Sequence, residues 1–245
     1  ALRAGVDPGF SVLGEAEARS LSADAWDRTL APVMDRAGDA GLDVFAGYGV
    51  DELRSITLGT YARLRSRGQR DPALPSLGAE PSQPDPGPLP AAIDAALKAL
   101  AGSKLKTVIR AIDGFAACRE LLAAGITDPV ALAETIVAPG QAKILLDGPA
   151  ATARAHQQRY VNELWECCAH PVLTLIDALL GAYGEAYSEA KREAGALDFE
   201  DLELGARDLL SAEPAIAARY RERHRAVLVD EFQDTNPLQM QLLEL

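Results

Sequence analysis

The sequence predicts a mostly α-helical protein that carries a short piece of an α/β domain near its carboxyl end. Hydrophobic residues make up 48% of the chain and aromatic residues only 5%, which favours helices packed through small aliphatic side chains. Apolar residues also recur at three- and four-residue spacing between Ile176 and Ala190, as on one face of a long helix. A short apolar run at 226–229, bounded by charged residues, is typical of a strand buried on both faces of a parallel sheet.

Composition limits the classes of function. A chain of 245 residues is long enough for one large domain or two small ones. Its formal net charge of -12, from 36 acidic and 24 basic residues, argues against a complete nucleic-acid-binding domain with a basic face, so any DNA contact must be local. Three cysteines, two of them adjacent, make no disulfide framework and suit a reducing cytosol.

The chain contains no signal-peptide profile and no run of roughly 18 apolar residues that would span a bilayer. We therefore expect a cytoplasmic protein with no membrane partner. The first residue is Ala1, and the leucine-rich residues 242–245 look like a helix that has been cut short. Both ends look artificial, and we expect an internal fragment of a longer protein.

The first third of the chain predicts helices followed by a linker. Gly5 to Phe10 is turn chemistry, and an amphipathic helix is expected over 15–30, with further helical patterns to about Arg67. We take 1–66 as an N-terminal helical part. Seven prolines between residues 71 and 90 remove hydrogen-bond donors and fix φ, so 67–90 is expected to be a linker or surface loop.

A helical subdomain is expected over 91–224. Short helices interrupted by glycine and proline extend to about Ala155, and a long helix then ends near Gly195. Its apolar stripe should lie in the core and comprises Ile176, Leu179, Leu180, Tyr183, Tyr187 and Ala190.

Two shorter helices and a strand are expected to follow. Asp198 is a good N-cap for a helix from Phe199 to Leu210, and Pro214 starts another that ends around His224. The last segment, 225–245, then contains the buried strand and the beginning of one more helix. A single central strand implies partner strands that this sequence does not contain.

The carboxylates Asp230 and Glu231 directly follow the apolar run. At the carboxyl edge of a parallel sheet, where open α/β folds bind ligands, they would suit a nucleotide site. Asp230 would then hold Mg²⁺, which prefers oxygen ligands, and Glu231 would orient and deprotonate an attacking water. The same four apolar residues with Asp-Glu also occur in strands that simply end on a charged loop.

The continuation Phe232-Gln233-Asp234-Thr235-Asn236-Pro237-Leu238-Gln239 resembles motif II of superfamily-one DNA helicases of the UvrD, RecB and AddA type. The stretch 197–202 resembles the family's segment before motif II and is preceded by a helix with Tyr187 and Lys191. The stretch Asp7 to Leu13 is similar to the sequence that follows motif I in the RecB/AddA branch. The region 67–155 matches only in its helical character.

The resemblance implies that the helical region is the 1B insertion, which contacts duplex DNA, and that 225–245 returns to a RecA-like P-loop domain with its Walker B strand. It implies an ATP-driven translocase, typically moving 3′ to 5′ on single-stranded DNA, in repair or double-strand-end processing. Its cofactors would be ATP and Mg²⁺, with Asp230 as the metal residue, Glu231 as the catalytic carboxylate and Gln233 as a nucleotide-site residue. A helicase-nuclease subunit of the exonuclease V type, with a partner subunit, is favoured over a stand-alone helicase.

The sequence departs from the family pattern in two respects. No Gly-x-x-x-x-Gly-Lys-Ser/Thr phosphate loop occurs in the chain, and the downstream arginine motifs are also missing. We therefore expect the chain alone to be inactive and only the full-length parent to hydrolyse ATP. The alternative is a non-motor helical scaffold, or a DNA- or protein-binding module, that retains a helicase-like sequence.

Other polar groups allow two interpretations each. The cluster Asp198, Glu200 and Asp201 suits nuclease metal ligation or N-capping of a helix. Arginines 219, 221, 223 and 225 suit phosphate contact or a solvated helix end. Cys167, Cys168 and His170 could be metal ligands, but paired zinc cysteines are normally separated by two or more residues, which favours buried small side chains. The histidines at 156, 170 and 224 have no Ser or Cys partner at a suggestive position.

Overall fold

The computed structural model describes residues 8–138, 142–224 and 226–245, and most of them are helical. In chain order the elements are β1 (Ser11–Val12), α1 (Glu15–Arg36), α2 (Gly38–Tyr48), α3 (Val50–Ser66), α4 (Leu89–Leu100), α5 (Lys106–Ala123), α6 (Pro129–Glu134), α7 (Lys143–Leu146), α8 (Gly148–Glu193), β2 (Ala196–Leu197), α9 (Phe199–Ala212), α10 (Pro214–Arg223), a 3-10 helix (Phe232–Asp234) and α11 (Pro237–Glu244). The turn expected at 5–10 and the helicase-like stretch from Asp7 lie partly outside the described residues.

The chain forms two compact units. The first comprises the residues before Gly78 together with Val172–Leu245, and the second is Gly78–Pro171. These bounds divide the chain differently from the four segments expected from the sequence, because α8 contributes residues to both units. The expected boundary near Ala91 lies within α4, and residues 172–224 belong to the first unit.

The core of the first unit forms around the apolar stripe of α8. The whole predicted stripe is buried, and Leu179 and Leu180 are fully inaccessible. They pack with Trp26 of α1, Phe45 of α2 and Leu53 of α3. The sequence prediction of a long core helix is confirmed here, since a stripe at helical spacing buries apolar area that would otherwise face water.

The core of the second unit is built from α4 to α7 and the first part of α8. Ile93, Phe115 and Leu132 are fully inaccessible and belong to one apolar cluster. As the prolines predict, no helix or strand occurs over 71–88, and α4 begins at Leu89. Asp128 caps α6, because its carboxylate accepts hydrogen bonds from the backbone N–H groups of Val130 and Ala131.

A small parallel sheet that the sequence patterns did not predict joins the two chain segments of the first unit. Ser11 pairs with Ala196 and Val12 with Leu197. The N–H of Leu13 donates to the carbonyl of Leu197 at 2.9 Å. Two-residue strands are too short to leave an alternating pattern, so only the pairing reveals them.

The strand expected at 226–229 is not confirmed. These residues are irregular, Leu228 is 97% exposed, and the prediction that the run is buried is wrong for this structure. The physical reason is the absence of a partner, since a strand needs neighbours for its backbone hydrogen bonds and its two apolar faces. Within 8–138, 142–224 and 226–245, β1 and β2 pair only with each other.

Helix α8 differs from one further expectation. By length and composition alone it could cross a membrane, whereas the sequence analysis found no such segment. The core helix of a water-soluble protein meets the same test, and α8 supplies buried side chains to the cores of both units.

Candidate functional site

The predicted site residues lie together on one exposed turn. Asp230 Oδ1 accepts a hydrogen bond from the backbone N–H of Glu231 at 3.0 Å, and Gln233 Nε2 donates to Glu231 Oε2. All three residues are exposed; Asp230 and Glu231 directly precede the 3-10 helix, and Gln233 lies within it. We call residues 230–234 the carboxylate turn. The structure thus brings Asp230, Glu231 and Gln233 together, but on a loop where the sequence predicted the edge of a sheet.

Glu231 has a strained backbone. Its φ is 50° and its ψ is 47°, and among the described residues other than glycine it alone has a positive φ. This left-handed conformation is uncommon for a residue with a Cβ, and such residues concentrate at active sites and switch regions. The strain singles out the same carboxylate that the sequence marked as catalytic.

The donor set at this turn fits a magnesium nucleotide. Mg²⁺ is usually held by one or two carboxylates together with phosphate oxygens and waters, and Asp230 and Glu231 supply carboxylate oxygens of that kind. No group of three metal-ligating side chains occurs within the part of the chain that the structure describes. These two carboxylates would therefore need phosphate oxygens to complete a magnesium site.

Four charged side chains, none of them more than 15% exposed, lie at the beginning of α9, away from that turn in sequence. Lys191 Nζ lies 2.6 Å from Asp198 Oδ2 and also contacts Asp201, while Arg65 pairs with Asp201 and lies 3.7 Å from Asp198. We call Arg65, Lys191, Asp198 and Asp201 the ion quartet. The two positive and two negative charges balance, which satisfies the requirement that buried charges be paired.

The ion quartet decides between two interpretations of the acidic cluster. Asp198 accepts from the N–H of Asp201 at 2.7 Å, which confirms the predicted N-cap. Burial acts to raise the pKa of Asp201, but Lys191 and Arg65 outweigh burial and hold that pKa below its usual value. Both aspartates are occupied by cations, so the quartet is a structural cluster and the nuclease interpretation loses its ligands.

Three tyrosines border the ion quartet. Tyr61 packs edge-on against Tyr183, Tyr183 stacks on Tyr187, and Lys191 Nζ lies 4.5 Å from the ring centre of Tyr187. Burial raises the pKa of the Tyr61 and Tyr187 hydroxyls above its ordinary value. The rings shield the charges from water, and with Asp198 they line a small cavity of about 190 Å³.

Side-chain hydrogen bonds join helix α9 to α11, which begins shortly after the carboxylate turn. Gln239 Nε2 donates to Glu203 Oε1 at 2.8 Å. Arg207 Nη1 donates to the carbonyl of Gly68 at 2.6 Å and to Gln241 Oε1 at 3.3 Å. The end of α3, the middle of α9 and α11 therefore share one hydrogen-bond network.

The sequence patterns missed a basic patch in the second unit. Lys98, Lys104, Lys106 and Arg110 surround the turn between α4 and α5, all are exposed, and none forms an ion pair among the described residues. We call these four residues the α4–α5 basic patch. The sequence does contain a signal for this patch, because no acidic residue lies between Asp94 and Asp113 in an otherwise acidic chain.

The remaining polar candidates are dispersed. Arg219, Arg221 and Arg223 are exposed on α10, and Arg225 lies outside the described residues. Tyr220 stacks on His224 with ring centres 6.2 Å apart. Cys167 Sγ contacts the carbonyl of Ser82 at 3.4 Å, so its observed role is to fasten the proline-rich segment to α8.

Part of the chain is similar in sequence to known proteins. Residues 165–245 match the family model of the UvrD/REP helicase N-terminal domain. The chain is 33% identical over 90 residues to a subunit of the ATP-dependent helicase/nuclease of Streptococcus pneumoniae, covering 37% of this chain and 7% of that protein. It is 37% identical over 75 residues to the corresponding helicase/nuclease subunit of Streptococcus equi subsp. zooepidemicus, covering 31% of this chain and 6% of the relative.

A third relative is the exonuclease/helicase subunit RexA of Streptococcus pneumoniae, 32% identical over 90 residues, or 37% of this chain and 7% of that protein. The chain thus spans less than a tenth of the length of these curated relatives. The family model includes the carboxylate turn, α9 and the carboxyl-terminal part of α8. Residues 165–245 are therefore similar to the UvrD/REP helicase N-terminal domain and, over part of that stretch, to subunits of ATP-dependent helicase/nucleases.

Proposed function

We propose that the longer protein containing this chain is an ATP-dependent DNA helicase that acts in DNA repair or double-strand-end processing. The observation that carries the proposal is the family match over 165–245, which includes the strained Glu231 and its neighbour Asp230. The helicase/nuclease names of the relatives favour one component of a complex over a stand-alone enzyme. We further propose that the longer protein moves from 3′ to 5′ on single-stranded DNA and that it is cytoplasmic.

The carboxylate turn would hold the magnesium nucleotide in the whole protein. Asp230 would bind Mg²⁺, and Glu231 would orient the attacking water and accept its proton. Gln233, which already donates to Glu231, would hold that carboxylate and link it to DNA-binding motifs. Bound Mg²⁺ would neutralise the charge that develops on the phosphates. A phosphate loop elsewhere in the protein would supply the remaining phosphate contacts, and 225–245 would become part of a RecA-like domain.

The second unit would supply a contact to DNA. We propose that the α4–α5 basic patch binds the phosphate backbone, since unpaired exposed lysine and arginine side chains exchange counterions for phosphates. Leu105, which is 58% exposed, and Ile109 lie between these cations. The patch agrees with the expectation that a chain with a net charge of -12 can contact DNA only locally.

Replacement of Glu231 by glutamine in the longer protein tests the proposed activity. The variant keeps the shape of the side chain but cannot accept the proton, so DNA-stimulated ATP turnover should fall by a factor of about 100 or more. Glu222→Gln, an exposed carboxylate on α10, is the matched control. A wild type without DNA-stimulated turnover would instead favour the non-motor scaffold, and equal non-zero turnover in the wild type and Glu231→Gln would contradict the catalytic role of Glu231. Duplexes with either a 3′ or a 5′ single-stranded tail determine the direction of movement.

A further inference from the structure

Gln239 forms two different hydrogen bonds with one side chain. Its Oε1 accepts from the backbone N–H of Asn236 at 3.2 Å, which completes a capping box at the beginning of α11. Its Nε2 donates to Glu203 Oε1 on α9 at 2.8 Å. The acceptor end of Gln239 thus belongs to the cap, and the donor end belongs to the bridge between helices.

The capped end of α11 is connected to the carboxylate turn by short hydrogen-bonded turns. The N–H of Asp234 donates to the carbonyl of Glu231 at 2.8 Å, and the N–H of Thr235 donates to the carbonyl of Phe232 at 3.1 Å. Leu238, the next residue but one after the cap, is fully buried. A displacement of the cap is therefore transmitted to Glu231, because little free backbone separates them.

Helix α9 is a firm support for that cap. Its first turn is held by the ion quartet, in which Lys191 and Arg65 are each 4% exposed. The Asp198 capping box satisfies the first N–H groups of the helix. Glu203 follows five residues after this cap, so its position on α9 is set by buried contacts and not by solvent.

We propose that Gln239 and Glu203 are a positioning pair that holds the Asp230–Glu231 turn in place relative to α9. Neither side chain touches the reacting groups, and both act through the cap of α11. The inference rests on the proposed function for its consequence in catalysis, but not for the coupling itself. The coupling requires only that the turn become more mobile when the Gln239–Glu203 hydrogen bond is removed.

Three variants separate this bridge from the cap. Gln239→Glu keeps the oxygen that accepts from Asn236 but replaces the donor with a second carboxylate facing Glu203. Glu203→Gln keeps an acceptor for Gln239 and serves as the matched control. In the double variant Glu203→Gln/Gln239→Glu the donor and acceptor are exchanged, so the new Gln side chain can donate to the new carboxylate and restore the bridge.

Backbone hydrogen exchange of this chain is the first measurement. Peptides that cover 230–235 should exchange faster in Gln239→Glu and return to wild-type rates in the double variant. Wild-type exchange in Gln239→Glu, or fast exchange that the double variant does not correct, would overturn the proposal. This measurement does not depend on whether the longer protein hydrolyses ATP.

ATP turnover of the longer protein is the second measurement. Gln239→Glu should lower kcat by about tenfold to a hundredfold, because a displacement of about 1 Å can have such an effect, while KM changes little. The double variant should recover kcat. If Glu231→Gln abolishes turnover but Gln239→Glu leaves kcat unchanged, the positioning role is wrong and the proposed function stands. If Glu231→Gln has no effect on turnover, the proposed catalytic role of Glu231 fails; if the wild type has no turnover, the proposed function fails, and in both cases hydrogen exchange alone decides the coupling.

Discussion

Lys191 Nζ lies 2.6 Å from Asp198 Oδ2, and both side chains are almost completely buried. The two residues flank the turn at Gly195 and β2, so their contact joins the end of α8 to the beginning of α9. Arg65 adds a third helix from a distant part of the sequence. The beginning of α9 is therefore defined by charge pairing as well as by its cap.

Replacement of Lys191 by methionine should destabilise the chain strongly. The change keeps the length of the side chain but leaves two buried aspartates with one cation, and breaking a buried pair typically costs about 3–5 kcal/mol. Denaturant unfolding followed by circular dichroism measures the loss. Arg192→Ala is the control, because the Arg192–Glu189 pair is exposed and should contribute less than about 1 kcal/mol. Equal losses in the two variants would contradict a special role for the ion quartet.

Acidification should weaken the fold through Asp201. The folded-state pKa of Asp201 is lowered, so its contribution to stability is present above the unfolded pKa of about 3.9 and is lost as pH falls through the folded value. The free energy of unfolding should therefore decrease more steeply below about pH 4 in the wild type than in Asp201→Asn. Chemical denaturation at a series of pH values gives both curves. Parallel curves would show that Asp201 titrates alike in the folded and unfolded chain.

The stability of the fold should depend on glycine at position 68 but not on glycine at position 59. Gly68 has a φ of +96°, and a Cβ there would lie 2.5 Å from Arg207 Nη1 and 2.9 Å from Gln241 Oε1. Gly68→Ala should therefore destabilise the chain by about 1–3 kcal/mol and disturb the network between α3, α9 and α11. Gly59→Ala lies inside α3 with nothing within 4 Å of the new Cβ, and should stabilise by about 0.5–1 kcal/mol. Thermal unfolding distinguishes the opposite signs, and a loss of stability in Gly59→Ala would contradict this account.

The α4–α5 basic patch should dominate DNA binding by the second unit. Lys104→Ala/Lys106→Ala should weaken binding to duplex DNA and reduce the slope of log K against log salt by about 2, since each phosphate contact contributes about 0.9. Arg119→Ala/Arg159→Ala removes the same charge from cations already paired with Asp94 and Glu163, and should leave the slope nearly unchanged. Fluorescence anisotropy with a labelled duplex at several salt concentrations measures both. Identical slopes for the two double variants would argue against the patch.

The helices of this protein were predictable because their signals are local. The stripe at 176–190, the Asp198 cap and the proline-rich break each depend on residues within a few positions of one another. The apolar stripe of α8, the end of α8 near Gly195 and the beginning of α9 were therefore predicted correctly. The strand at 226–229 was not, because an apolar run becomes a strand only beside partner strands, and the described residues provide none.

The sequence alone determined the apolar stripe and the end of α8, the capped beginning of α9 and the proline-rich break, and it identified Asp230, Glu231 and Gln233 through a motif of adjacent residues. Only the tertiary structure decided that Arg65 would meet Asp201, 136 residues away, and that Gln239 would bridge to Glu203. Capping and amphipathic spacing follow from contacts between near neighbours in the chain. Ion pairs and bridges between distant helices follow from packing, which places charges together that no sequence spacing relates.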